Sequence, residues 1–116
     1  MMGRHFIERK PPAPPTPEDV VEALNEAHGL LANGLAKGSA VDWVDGWPCF
    51  CIVAAITATS RTQQIRDEAL AAARRALPRG FHAGSIEAYN DHPGTTVSDA
   101  KALLLNAKCF VGVVAA

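Results

Sequence analysis

Apolar positions recur at helical spacing along three stretches of the chain. In the first, Val20, Leu24, Ala27, Leu31 and Leu35 form one seam. Thr16 can cap this helix, Pro17 suits its first turn, and Glu18 and Asp19 complement its positive end. Gly34 and Gly38 offer stops. Arg61 to Leu77 reads as a second amphipathic helix, with Ile65, Ala69, Ala72, Ala73, Ala76 and Leu77 inward and Arg66, Asp67, Glu68, Arg74 and Arg75 outward. Pro78 and Gly80 end it. A third seam, Val97, Ala100, Leu104, Ala107 and Val111, follows a cap at Thr95 or Thr96. Between the first two helices, Cys49–Thr59 (CFCIVAAITAT) is apolar on all sides. Its length and Ala-Ala pair favour a buried central helix over a buried strand.

The remaining segments break these periods. Residues 37–48 read as a loop, because Gly, Ser, Asp and Pro interrupt any pattern. Residues 85–90 suit a short helical turn, and His92-Pro93-Gly94 marks a tight turn. The tail, residues 111–116, either completes the last helix or runs extended. Five of the eight prolines lie between Pro11 and Pro17, so residues 1–15 are expected to form an extended, proline-rich arm. The expected fold is all-α: a single compact domain of about four helices over residues 16–116, preceded by that arm.

Composition narrows the function. A chain of 116 residues fits one domain, and 48% hydrophobic with 20% charged residues is enough to fold it. Alanine supplies 21 positions and aromatics only 6%, which suits closely packed thin helices. The net charge of −1 argues against a general nucleic-acid binder. Five basic residues between Arg61 and Arg79 make a local excess. Arg66, Arg74, Arg75 and Arg79 are therefore a minor candidate phosphate face, set against a plain solvated helix face. The longest apolar run is about half of the ~20 residues needed to span a bilayer, and the N-terminus lacks a secretory core. A cytoplasmic location with no membrane contact is expected. Three cysteines make a poor disulfide framework, and the C-x-C of Cys49 and Cys51 is not a zinc or redox spacing. Cys51 and Cys109 read as small core residues. No metal and no cofactor is expected.

Two places carry candidate function. Trp43 and Trp47, the only tryptophans, fall together in the 37–48 segment. They read either as a lid folded onto the core or as an exposed anchor for a partner. The second place is Tyr89, Asn90, Asp91 and His92. Cys51 with His92 or Asp91 would supply a nucleophile and a base, but adjacent Asp91 and His92 point in different directions in most backbones. The structural alternative is stronger. A buried helix start near Cys49 leaves amide donors without intrahelical partners, and the Asn90 or Asp91 side chain can accept from them. Asp91→Ala then costs stability if those amides are buried.

The segments CIVAAI (51–56) and YNDHPGTTVSDAKALLLNAK (89–108) resemble a C-x-x-G-A-L-like helix start and a W-N-D-x-P-G-x-T segment followed by a helix. In this order they resemble a family of small uncharacterised proteins of actinobacteria and of phages that infect them, mycobacteriophages included. The matching positions are Cys51, Ala55, Asn90, Asp91, Pro93, Gly94 and Thr96. Tyr89 stands where that family has Trp, and Ala54 where it has Gly. The resemblance implies a helical fold and an actinobacterial or phage origin. It transfers no activity. The function expected is non-enzymatic binding of a host protein, with Trp43 and Trp47 at the contact and a homodimer as the alternative assembly.

Overall fold

The computed structural model describes residues 14–81 and 84–112. Most of the expected N-terminal arm and the end of the C-terminal tail lie outside the described residues. The rest is a mostly helical globule with one small hairpin. Helix α1 (Pro17–Leu30) is followed by a 3-10 turn (Leu31–Asn33), strands β1 (Val41–Val44) and β2 (Trp47–Phe50), and helix α2 (Ile52–Thr59). Helices α3 (Gln63–Arg75), α4 (Ile86–Asp91) and α5 (Val97–Ala107) complete it, with a closing 3-10 turn (Lys108–Phe110).

Each helix begins where its local chemistry allows. Thr16 Oγ1 accepts from Asp19 N at 3.2 Å while Asp19 Oδ2 accepts from Thr16 N at 3.3 Å. Thr96 and Asp99 repeat this reciprocal pair at the start of α5, at 3.1 and 2.9 Å. Both pairs satisfy two orphan donors and put a carboxylate at the positive helix end. Thr62 and Ser85 cap α3 and α4 through single bonds of 3.1 and 3.0 Å.

The core lies among α1, α2, α3 and α5. Leu24, Leu31, Ile52, Ile56, Leu77 and Leu104 are its largest fully buried aliphatic side chains. Ala27, Ala55, Ala69, Ala73, Ala100 and Ala107 are buried beside them. With alanine at so many contacts, the helix axes approach closely and a few large residues fill what remains. Ala55 takes its place here, as a core residue of α2.

The apolar run from Cys49 to Thr59 is not one helix. Its first residues complete β2, and α2 starts only at Ile52. The stretch 37–48 is likewise not simply a loop, since β1 pairs antiparallel with β2 in the register Val41↔Phe50, Asp42↔Cys49, Trp43↔Pro48 and Val44↔Trp47. The turn is Asp45-Gly46, both at positive φ (52° and 81°), the geometry in which a two-residue loop follows the strand twist. Pairs alternate between hydrogen-bonded and not, starting from a bonded pair at the turn, so Pro48 lies where its missing N–H interrupts no ladder bond. Beyond the strands the ladder continues, with Cys51 N donating to Ala40 O at 2.8 Å. On the other side of β2, Ala36 N donates to Phe50 O at 3.0 Å. Leu35 thus leaves the α1 seam and bridges to β2 instead.

The cysteines also differ from expectation. Cys49 is the buried one, with its Sγ 3.3 Å from Asn33 O, while Cys51 is half-buried and Cys109 is exposed. Strand alternation explains this: Cys49 points from the hairpin toward the body, and Cys109 falls on the outward side of the closing turn. Among the described residues no helix is long and apolar enough to cross a membrane.

Candidate functional site

Asn90 is the polar centre of the molecule. It is 1% exposed, and its side chain uses both ends. Oδ1 accepts from Ile52 N at 2.9 Å, at the start of α2. Nδ2 donates to Ala36 O at 2.8 Å and to Asp91 Oδ1 at 2.9 Å. Cys51 caps the same helix start, its Sγ accepting from Ala54 N at 3.3 Å. Two of the orphan amides of α2 are therefore satisfied by side chains, one from its own N-cap and one from a residue 38 positions away.

Asp91 and Lys37 fasten the same region from outside. Asp91 Oδ1 accepts from Gly38 N at 2.9 Å. That bond, then the one from Asn90 and the nearby Lys37 charge, hold the Asp91 carboxyl below its ordinary range. Lys37 Nζ donates to the carbonyls of Asn90 (3.1 Å) and His92 (2.6 Å) at the C-terminal end of α4, where a cation is favoured. The buried amide expected to need a partner falls to Asn90. Asp91 serves the exposed Gly38 instead, so the stability cost expected of Asp91→Ala moves to Asn90.

The rest of the segment is also accounted for by packing. Tyr89 is buried edge-on to Phe81, with ring centroids 4.9 Å apart. Burial, and then the charge of Asp99, push its phenol above the ordinary value. His92 Nδ1 accepts from Gly94 N at 3.0 Å in the turn that contains Pro93, and a Cβ at Gly94 would sit 3.3 Å from that ring. Thr96 is the α5 cap. Of the candidate nucleophile and bases, His92 Nδ1 accepts from Gly94, Asp91 Oδ1 from Gly38 and Asn90, and Cys51 Sγ from Ala54 of its own helix, while Cys51 and Asp91 line one groove. Among the described residues no three of His, Cys, Asp or Glu gather as metal ligands.

The hairpin is the second place of interest. Trp43 is 68% exposed and Trp47 64%, so neither closes over the core as a lid. The register puts Trp43 on one face with Val41, Pro48 and Phe50, and Trp47 on the other with Asp42, Val44 and Cys49. The two indoles thus flank the hairpin rather than stack. Between the Trp43-bearing strands and the outer side of α2 runs an open groove of about 590 Å³. Its floor and wall were not visible in the sequence, because the groove exists only once the hairpin folds beside α2. The Asp45-Gly46 dipeptide was the available signal for that hairpin.

Of the candidate arginines, Arg74 and Arg79 are exposed and Arg66 and Arg75 half-buried. Arg61 reaches Glu22 and Asp19 at 3.3 and 3.8 Å, and Arg66 reaches Asp67 at 3.5 Å and donates from Nε to Thr57 Oγ1 at 3.1 Å.

Residues 15–108 match a family of unknown function, DUF6197, and the chain belongs to that family. No curated protein and no solved structure gives a match.

Proposed function

We propose that this protein is a non-catalytic binding module, encoded by an actinobacterium or by a phage that infects one, and that it recognises a host protein through the β1–β2 hairpin. The exposure of both tryptophans on that hairpin carries the reading. A tryptophan that docks removes about 150–250 Å² from water, about 4–6 kcal/mol before the costs of association. The same side chain left in solvent contributes almost none of that. Tryptophan is also among the residues most enriched at the energetic centres of protein interfaces. The engagement of Asn90, Asp91 and Cys51 in fastening the fold supports a scaffold role for that cluster. The resemblance of 51–56 and 89–108 to actinobacterial and phage sequences supports the origin.

The test is affinity capture from actinobacterial lysate with the intact protein and with Trp43→Ala/Trp47→Ala, followed by titration of the purified candidate. One protein that binds the intact form and is weakened at least about tenfold by the double substitution supports the reading. A candidate that binds both forms equally overturns it, as does the failure of any protein to prefer the intact form. Thermal melts of both forms verify that folding is unchanged.

A further inference from the structure

Helix α2, IVAAITAT, carries no charged residue, yet one side of it is not covered. Ile52, Ala55 and Ile56 face the core. Val53 and Ala54 are half-buried, Thr57 and Ala58 are exposed, and all four line the groove. That side is three apolar residues and one threonine, whose Oγ1 accepts from Arg66 Nε at 3.1 Å at the edge of the groove. Val41 and Phe50, from the Trp43 face of the hairpin, form the opposite wall. The charged residues among the lining are both acidic, Glu87 and Asp91, one turn apart on α4. Asp91 Oδ1 takes the bonds from Gly38 and Asn90, which leaves Oδ2 as the acceptor available at the rim.

We infer that this groove seats one amphipathic, basic α-helix of the protein partner. The inference rests on the partner-binding reading above and specifies which face of the hairpin it uses. Three observations on the groove select that occupant. Ala54 and Ala58 are one turn apart on the floor, and such small residues let a second helix approach closely. Val41 and Phe50 offer an apolar wall of the kind that receives anchors spaced i, i+3, i+4 and i+7. Glu87 and Asp91 complement lysine or arginine on the flank of that helix and disfavour an acidic one. Trp43 lies beyond the groove's lining on the same face of the hairpin as Val41 and Phe50, whereas Trp47 lies on the opposite face. The two tryptophans therefore make unequal contributions.

The test uses the full chain and a synthetic Leu/Lys amphipathic helix of about 18 residues, long enough to form alone, beside a Leu/Glu twin of the same apolar pattern. Fluorescence anisotropy is the readout. Saturable binding of the Lys peptide, with the Glu twin at least about tenfold weaker, is expected. Ala58→Trp, which fills the floor from an exposed position, and Glu87→Lys, which reverses the rim, should each weaken it at least about tenfold. Trp43→Ala should weaken it clearly, and Trp47→Ala by less than about twofold. Equal binding of the two peptides overturns the inference, as does indifference to both Ala58→Trp and Glu87→Lys. Two other occupants would also overturn it. A second copy would appear as a dimer that Ala58→Trp dissociates. The chain's own N-terminal residues would appear as peptide binding gained only with Phe6→Asp/Ile7→Asp. Host-protein capture that depends on the tryptophans but not on Ala58 or Glu87 sinks this inference alone. Capture that ignores the tryptophans sinks the broader reading.

Discussion

Asn90 joins three parts of the chain that share no sequence neighbourhood: the start of α2, the segment after α1, and its own helix α4. An alanine there leaves the buried amide of Ile52 and the carbonyl of Ala36 without partners. Each such group costs about 1–3 kcal/mol, so Asn90→Ala should lower unfolding free energy by about 2–6 kcal/mol in urea titration. Asn90→Asp turns the Nδ2 donor into a carboxylate oxygen facing the Ala36 carbonyl and the Asp91 carboxylate in a buried site, and should cost at least as much as Asn90→Ala at neutral pH. The neighbouring carboxylate predicts a pH effect. Asp91 and Asp99 both titrate lower in the folded state than in the unfolded chain, Asp91 mainly through Gly38 N and Asp99 through Thr96. Their stabilisation is in place above the unfolded carboxyl value of 3.8 and is lost as pH falls through the lower folded values. Melting temperatures should therefore drop below about pH 4, and Asp91→Asn should flatten part of that drop. An unchanged pH profile in Asp91→Asn would remove Asp91 from the account. Asn90 and Asp91 were legible in sequence as candidate acceptors, because a buried helix start demands them. Which of the two takes the buried amide was not, since it depends on how α4 is turned against α2.

Helices that carry their own start signals were readable from the chain. Thr16-Pro-Glu-Asp and Thr96-Val-Ser-Asp place donor and acceptor three residues apart, and that geometry is local. The run from Cys49 to Thr59 was not readable, because an apolar segment carries no period when both its strand and its helix are largely covered. What divides it is the chemistry of Cys51. Its backbone is extended (φ −77°, ψ 166°) and its thiol caps Ala54 N, so the spacing C-x-x is a cap spacing. Sulfur is a weak acceptor, and serine is among the preferred caps. Cys51→Ser should therefore keep or raise stability, by up to about 1 kcal/mol, and should leave partner binding intact. Loss of function with retained stability in Cys51→Ser would instead point to thiol chemistry at this position, and comparison of melts with binding titrations distinguishes the two.

At the scale of the whole molecule, apolar side chains divide between the helical core and the hairpin. Leucine, isoleucine and alanine fill the core among α1, α2, α3 and α5, while both tryptophans stand outside it on a hairpin. In a chain with 6% aromatic residues, a lid over the core was a reasonable use for them, and burial would have stabilised the fold. Their exposure leaves the core to other residues, and how far the two groups differ in stability is measurable. Ile56, fully buried in α2, should cost about 2–5 kcal/mol when replaced by alanine, because the removed atoms leave a cavity in a core already lined with alanine. Trp43→Ala/Trp47→Ala removes far more apolar volume, yet it should shift unfolding free energy by only about 1 kcal/mol, because the side chains are 68% and 64% exposed and lie outside the core. Urea unfolding of the two variants beside the parent decides the matter. If the tryptophan variant were as unstable as Ile56→Ala, the hairpin would be part of the fold's support, and the indoles could not be assigned to a partner. If it keeps its stability and loses only binding, the hairpin is a surface that the helical body holds out for recognition.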